Sequence, residues 1–219
     1  FGGAGVSTES NIPDFRSQSG IYSKKTYPYP AETMISHDFF YEHTEAFYDF
    51  YFHEMVYPNA QPNPAHLALA KLEALGKLDA VITQNIDGLH QLAGSKRVLE
   101  LHGSIYRNYC MKCGTFYDVH AIKDSYGIPI CGCGGVIKPD VVLYEESLDE
   151  MVIKQSVSQI QQADLLIVGG TSLAVYPAAS FIQYFCGEHL VMINRSATSL
   201  DTKADLVLQE NLGDIFSQI

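Results

Sequence analysis

The sequence lacks a long apolar run. Nowhere in its 219 residues does one reach the roughly 18 that cross a membrane as a helix, so no membrane association is expected. Positive charge is scarce as well. Lys and Arg number 14 against 25 Asp and Glu, a net charge of −11, and the adjacent basic pairs are Lys24-Lys25 and Lys96-Arg97. Such an acidic surface repels phosphate, which argues against a nucleic-acid partner. It is compatible with lysine-rich protein partners, although acidity most often serves solubility alone. Neither an internal repeat nor a low-complexity linker is present. Cysteines are odd in number, five, with no visible secretory signal, so a disulfide framework is not expected. What remains is a chain 47% hydrophobic and 18% charged, too apolar for disorder and long enough for one core with a small appended module. A glycine-rich turn follows Phe1 at once, and the strand that should feed it is expected to have been trimmed away, together with any targeting segment.

Short apolar runs ending in polar or turn residues predict strands of a parallel sheet at Ala80–Thr83, Val98–His102, Leu165–Gly169, Leu190–Asn194 and Leu206–Gln209. Helical patterns lie between them. Asn63-Pro64 supplies a cap and a first-position proline, Leu67, Leu69, Leu72 and Leu75 follow at near-helical spacing, and Gly76 ends the run. Asp87 caps a shorter segment up to Ala93, stopped by Gly94, and Pro177 opens another running through Phe181 to Phe185. This alternation reads as an open α/β sheet with helices on both faces. Two stretches break it: residues 21–58, crowded with aromatics from Phe39 to Phe52, and residues 106–139, which hold four cysteines. The first reads as a helical module packing its rings into a core. The expected division is a sheet domain of residues 1–20, 59–105 and 140–219, with a small domain of residues 21–58 and 106–139.

The polar residues that end the strands carry the chemistry. Gly3-Ala4-Gly5, in a strand-to-helix turn, lets backbone approach a pyrophosphate. Alone it is a weak signal, because Thr8 stands where a dinucleotide fingerprint has its third glycine and no acidic residue follows at the right distance. An ordinary dehydrogenase is therefore disfavoured. The run from Ser7 through Pro13-Asp14-Phe15-Arg16 suits a loop folded over a ligand, with Arg16 for phosphate or carboxylate and Phe15 covering a flat ring; a plain surface turn is the other reading. Gln84, Asn85 and Asp87 follow the first predicted strand, outside whose carboxyl end ligands bind in such sheets. Amides there can orient ribose hydroxyls and a water, and Asp87 can accept from a carboxamide or merely cap the next helix. His102 ends the next strand and is a natural general base near neutral pH; His90, on a helix, reads as structural. Gly170-Thr171-Ser172 and Asn194-Arg195 end two later strands and can meet phosphate and ribose.

Cys110-x2-Cys113 and Cys131-x-Cys133 are two close pairs 17 residues apart, which suits a tetrahedral zinc held by four thiolates. Four protein ligands leave no open position, so this zinc is expected to hold the fold rather than do chemistry. Cys186, on a predicted helix, is expected to be a small buried apolar residue.

With these residues assembled, the chain resembles the sirtuin family over essentially its whole length. Gly3-Ala4-Gly5-Val6-Ser7, Pro13-Asp14-Phe15-Arg16, Thr83-Gln84-Asn85-Ile86-Asp87-Gly88, His102-Gly103, the paired cysteines and Gly170-Thr171-Ser172-Leu173 carry the resemblance. It implies a Rossmann-type NAD domain, a small domain of helical module and zinc ribbon, and NAD-consuming deacylation of acetyl-lysine in proteins or peptides. Under it His102 is the general base for a ribose hydroxyl and Asn85 positions ribose and water. Ile86 and Asp87 form the nicotinamide pocket, and Phe15 shields the sugar after nicotinamide departs. Gly3, Ala4, Gly5, Ser7, Thr8, Asp14, Arg16, Gln84, Gly170, Thr171, Ser172, Asn194, Arg195 and Leu212 serve the rest of the dinucleotide. The segment from Pro139 to Tyr144 is similar to the family's substrate strand, with Val142, Tyr144 and Val175 at the acyl-lysine tunnel. Asn11 and Glu145 stand where the family commonly has glycine, and the latter bears on peptide preference. The Tyr-x-x-Arg of members that take acidic acyl chains is missing from the helical module, which implies an apolar, acetyl-type preference. The resemblance is to bacterial members and implies a cytoplasmic enzyme. Two other readings compete: a protein mono-ADP-ribosyltransferase, and a non-catalytic nucleotide-sensing module.

Overall fold

The computed structural model describes residues 1–18, 20–23, 27–125 and 127–219; the Lys24-Lys25 pair lies outside them. The apolar runs become strands because β-branched and leucine side chains can be covered on both faces of a parallel sheet. These are β1 (Val81–Thr83), β2 (Val98–Glu100), β3 (Gly103–Cys110), β4 (Phe116–Tyr117), β5 (Ile137–Val141), β6 (Leu165–Gly169), β7 (His189–Ile193) and β8 (Leu206–Leu208). β1 pairs with β2, and β6, β7 and β8 pair in that order, all parallel. Gly2 joins the two groups, bridging Thr83 on one side and Gly169 on the other. β3, flanked by β4 and β5, makes a separate antiparallel sheet.

The helices are α1 (Ala31–Met34), α2 (His37–Glu42), α3 (Thr44–Glu54), α4 (Pro64–Ala74), α5 (Leu89–Ala93), α6 (Val119–Ile122), α7 (Glu150–Gln162) and α8 (Leu212–Phe216). α4 starts as the sequence predicts. Asn63 Oδ1 accepts from the backbone N–H of Ala65 and His66, the His66 ring accepts in return from Asn63 N–H, and Gly76 follows at φ 67°. The leucine spacing misleads about its buried face, however. Leu67 and Leu75 are exposed, and the buried positions are Ala65, His66 and Ala68; this face, with Leu69 and Leu72 partly covered beside it, packs against Val6 and α8. α7, the longest helix, was not anticipated; Asp149 caps it, accepting from Met151 and Val152 N–H. The segment after Pro177 winds as a 3-10 helix over Ala178–Tyr184. Cys186 lies beyond it and is exposed, not buried; the apolar cover there comes from Phe181, Ile182 and Phe185.

Two cores result. One packs α7 and the Ala178–Tyr184 helix on the parallel sheet through Ile82, Leu101, Ile160, Val168 and Met192. The other gathers Phe39, Phe40, Phe47, Tyr48, Phe50 and Tyr51 of the helical module around Ile105, Val141 and Leu143. The aromatics thus form a core as expected, with Tyr41 as the exposed exception. Among the described residues no helix is long and apolar enough to cross a membrane.

Candidate active site

The glycine-rich turn does not lead into an α-helix. Two single 3-10 turns, Ala4–Val6 and Thr8–Ser10, follow instead, so no helix N-terminus faces the expected phosphate position. Gly5 packs directly on Gly170. Its N–H donates to Gly170 O at 2.7 Å, and a Cβ added there would lie 2.7 Å from Gly170 Cα. Thr8 Oγ1 donates to Gly5 O, Asp14 Oδ1 accepts from Ser17 N–H at 2.8 Å, and Arg195 reaches Asp14 at 3.6 Å. These contacts shape the loop from behind. Phe15 and Arg16 reach the cleft wall, Arg16 pairing with Glu32 at 3.5 Å.

The residues after β1 turn inward. Ser7 Oγ donates to Asp87 Oδ2 at 2.6 Å and accepts from Asn85 Nδ2 at 3.0 Å, while Asp87 Oδ1 accepts from Leu89 N–H at 2.9 Å. Asp87 therefore both supports α5 and anchors the loop. Gln84 Nε2 donates to Thr171 Oγ1 at 3.1 Å, tying the end of β1 to the end of β6. His102, in the turn between β2 and β3, sits with Nδ1 2.9 Å from the backbone carbonyl of Gln84. A carbonyl can only accept, so the ring proton resides on Nδ1 and Nε2 is left with its lone pair. Burial lowers the His102 pKa, partly opposed by the Gln84 bond.

Sequence reasoning missed His66. This fully buried ring accepts from Asn63 N–H at Nδ1 and so directs Nε2–H toward Ser7 Oγ, 3.5 Å away. The asparagine-proline cap three residues earlier was the available signal. Burial pushes its pKa down to about 4 despite Asp87. His90 packs edge-on against it, ring centres 4.7 Å apart, its own pKa lowered by burial to about 3. His90 is structural, as its helical position implied.

At the end of β6, Gly170 takes φ 60° and Thr171 N–H donates to Asn194 Oδ1 at 2.9 Å. The Asn194 Nδ2 is buried without a protein acceptor among the described residues, a donor suited to a ligand oxygen. Leu212 packs beneath Gly169, where a Cβ would lie 2.6 Å from it.

The structure brings most of the expected site residues onto one cleft wall. Gly3, Ala4, Ser7, Phe15 and Arg16 meet Gln84, Asn85, Ile86, Asp87 and His102 there, and Gly170, Thr171 and Ser172 complete that side. Val142, Tyr144 and Val175 line the same cleft. Gly5, Thr8, Asp14, Asn194, Arg195 and Leu212 stand behind it or beside it. Tyr22, Glu54 and Met55 also line the cleft and were not foreseen, because nothing local in the sequence ties the aromatic module to the strand ends. The wall's backbone amides, hydroxyls and side-chain amides, with the Asn194 donor, fit a dinucleotide.

The four cysteines converge as their spacing predicts. Their sulfurs lie within 4.8 Å of one another, with Cys110–Cys133, Cys113–Cys131 and Cys113–Cys133 at 3.5, 3.6 and 3.4 Å. Four thiolates about 2.3 Å from one tetrahedral zinc would stand about 3.8 Å apart, so the quartet fits that ion.

Comparison with known proteins agrees with this geometry. Residues 3–177 match the Sir2 family. NAD-dependent protein deacetylases of Clostridium acetobutylicum and Clostridium perfringens are 59% and 56% identical to the chain, which is covered completely and spans 91% of each. A solved structure of Sir2 with p53 peptide and NAD+ superimposes with a TM-score of 0.85 at 39% identity, covering 99% of this chain and 89% of that one. Sir2Tm bound to a propionylated peptide gives 0.86 at 39%, with the same coverage. A glycine-braced loop, a strand-end histidine of fixed tautomer and a cysteine quartet, joined to these similarities, make the chain a member of the Sir2 family.

Proposed function

We propose that this chain is an NAD-dependent protein-lysine deacetylase that transfers the acetyl group to ADP-ribose and releases nicotinamide. The observation that carries it is the His102 ring, whose Nδ1 is committed to Gln84 O at 2.9 Å and whose Nε2 is thereby left to take a proton inside the cleft. NAD, when bound, supplies the electrophilic ribose carbon to which the acyl oxygen adds. His102 Nε2 then accepts the proton of a ribose hydroxyl, and its lowered pKa keeps it neutral for that task. Asn85, held by Ser7, orients ribose and water. Asp87 and Ile86 receive the carboxamide ring, and Phe15 excludes solvent from the sugar. Gly3, Ala4, Arg16, Gln84, Gly170, Thr171 and Ser172 hold the remainder, with Gly5, Thr8, Asp14, Asn194, Arg195 and Leu212 positioning them. Val142, Tyr144 and Val175 receive the acyl-lysine, and Cys110, Cys113, Cys131 and Cys133 hold a structural zinc.

Two separate cores support dividing the chain into an NAD-binding lobe of residues 1–20, 59–105 and 140–219 and a small lobe of residues 21–58 and 106–139. Ile105, Val141 and Leu143 reach from the first into the core of the second. The valines at the tunnel favour an apolar acyl chain over an acidic one. Cysteines arranged for metal rather than disulfide suit a reducing compartment, and the cytoplasm is the proposed site of action.

Incubation with NAD and an acetylated peptide tests the reading by mass. Free lysine peptide, nicotinamide and acetyl-ADP-ribose should appear together, and His102→Ala should slow their formation by about 10²–10⁴-fold. A protein made heavier by ADP-ribose, with the acetyl group retained, would favour transfer instead.

A further inference from the structure

Two tyrosines that line the cleft, Tyr22 and the substrate-side Tyr144, meet through their hydroxyls. Tyr22 ends the loop that begins near Phe15: its N–H donates to Phe15 O at 2.9 Å, its ring meets the Phe15 ring edge-on at 5.4 Å, and the Arg16 guanidinium lies over it at 5.2 Å. It thus touches both loop residues that reach the dinucleotide side of the wall. Tyr144 belongs to the extended segment after β5, and that segment is pinned at both ends. Val142 N–H donates to His102 O at 3.0 Å, Tyr144 N–H to Ile35 O at 3.1 Å, and His37 N–H to Tyr144 O at 2.9 Å. The two phenol oxygens, 122 residues apart in sequence, are 2.8 Å apart. Burial first, and then the partner hydroxyl, raise the pKa of Tyr22 far above the phenol range.

We propose that the Tyr22–Tyr144 hydroxyl pair couples the two substrates, so that a peptide seated on residues 142–145 steadies Phe15, Arg16 and Tyr22 over the dinucleotide, and the reverse. The inference rests on the proposed deacetylase reading, since it needs peptide on one element and NAD under the other. Beyond this bond the two meet through apolar packing, since Phe15, Ile21, Tyr22, Leu143 and Tyr144 share one core; Arg195 holds the loop at Asp14, and backbone bonds to Ile35, His37 and His102 hold the segment. Removing one hydroxyl leaves both rings packed, the backbone bonds intact and no charge altered. What it removes is the direct side-chain bond between loop and segment. Both tyrosines are positioning residues: neither needs to touch a reacting atom.

Binding of a non-cleavable NAD analogue is measured by calorimetry with and without saturating acetylated peptide, and the ratio of affinities is the coupling factor. Reciprocity requires the analogue to tighten the peptide by the same factor. In the unaltered protein the factor should exceed one. Tyr144→Phe and Tyr22→Phe should each lower it toward one by up to about fivefold, the scale of one neutral hydrogen bond. The double variant should go no further, and melting temperatures should stay within a few degrees. A factor of one in the unaltered protein, factors unchanged in the variants, losses that multiply in the double variant, or a lowered melting temperature with coupling intact would each overturn the proposal. Failure to deacetylate would strike the functional reading instead, because the coupling factor is read without turnover.

Discussion

A histidine at a strand end is readable as a candidate base from position alone, but its tautomer is not. The tautomer follows from one backbone carbonyl, Gln84 O, brought beneath the ring by the pairing of β1 with β2. The same contact separates two energetic effects at His102. Burial disfavours the imidazolium, the carbonyl bond favours it, and burial is the larger. The direction gives a prediction. A base with a lowered pKa stays deprotonated as the solution is acidified, so the acid limb of kcat/KM should fall below the ordinary histidine value of about 6.5. A profile from pH 5 to 8 on one acetylated peptide checks it, and a limb at or above 6.5 would contradict the desolvated ring. His66 illustrates what single-residue reading misses. Its partner Ser7 is 59 positions away, and the Asn63-Pro64 cap beside His66 says nothing of that partner.

Individual elements show how departures in sequence can preserve backbone shape. Asn11 and Glu145, where the resemblance implies glycine, both take positive φ, 62° and 75°. Asparagine tolerates that region well and glutamate less so, yet the turn is retained in each case. Where side-chain space is lacking the position stays glycine. Gly103 takes φ 78°, and a Cβ there would lie 1.9 Å from Asp140 O, because β3 passes β5 immediately after the His102 turn. Gly103→Ala combines left-handed strain with a backbone clash and should destabilise the protein by about 2–4 kcal/mol, with kcat reduced as His102 is displaced. Gly76→Ala is the control: φ 67° but nothing within 4 Å, so about 1 kcal/mol. Denaturant midpoints and kcat for the two variants decide the matter; equal losses would mean the clash at Gly103 is relieved elsewhere. Strand ends and helix caps were legible because they depend on neighbours in sequence. The missing helix after Gly5, the buried face of α4 and the exposed Cys186 were not, because each depends on which distant backbone lies alongside.

At the scale of the whole molecule, the sequence shows alternating strands and helices but not which ionisable groups end up enclosed. His66 and His90 lie face to edge between α4 and α5, His102 is enclosed by the cleft, and burial lowers the pKa of all three. A depressed pKa on a basic group means that the unfolded chain binds protons the native state refuses. Stability from these groups is therefore complete at high pH and is lost as the pH falls through the unfolded histidine value of about 6.5 toward the native ones. For a histidine whose native pKa lies at 4 or below, the loss reaches about 2 kcal/mol at pH 5. Two such rings would then remove about 4 kcal/mol from a total stability typically of about 5–15 kcal/mol. Urea unfolding at fixed temperature should accordingly show stability declining steeply from pH 6.5 to pH 5. Neither ring nitrogen of His90 meets a protein partner among the described residues, so His90→Leu removes a proton site without orphaning a bond. That variant should flatten the decline by about 1.4 kcal/mol per pH unit while leaving stability at pH 8 nearly unchanged. An unaltered slope would mean that His90 takes up its proton in the native state and that the enclosure seen here opens before the protein unfolds.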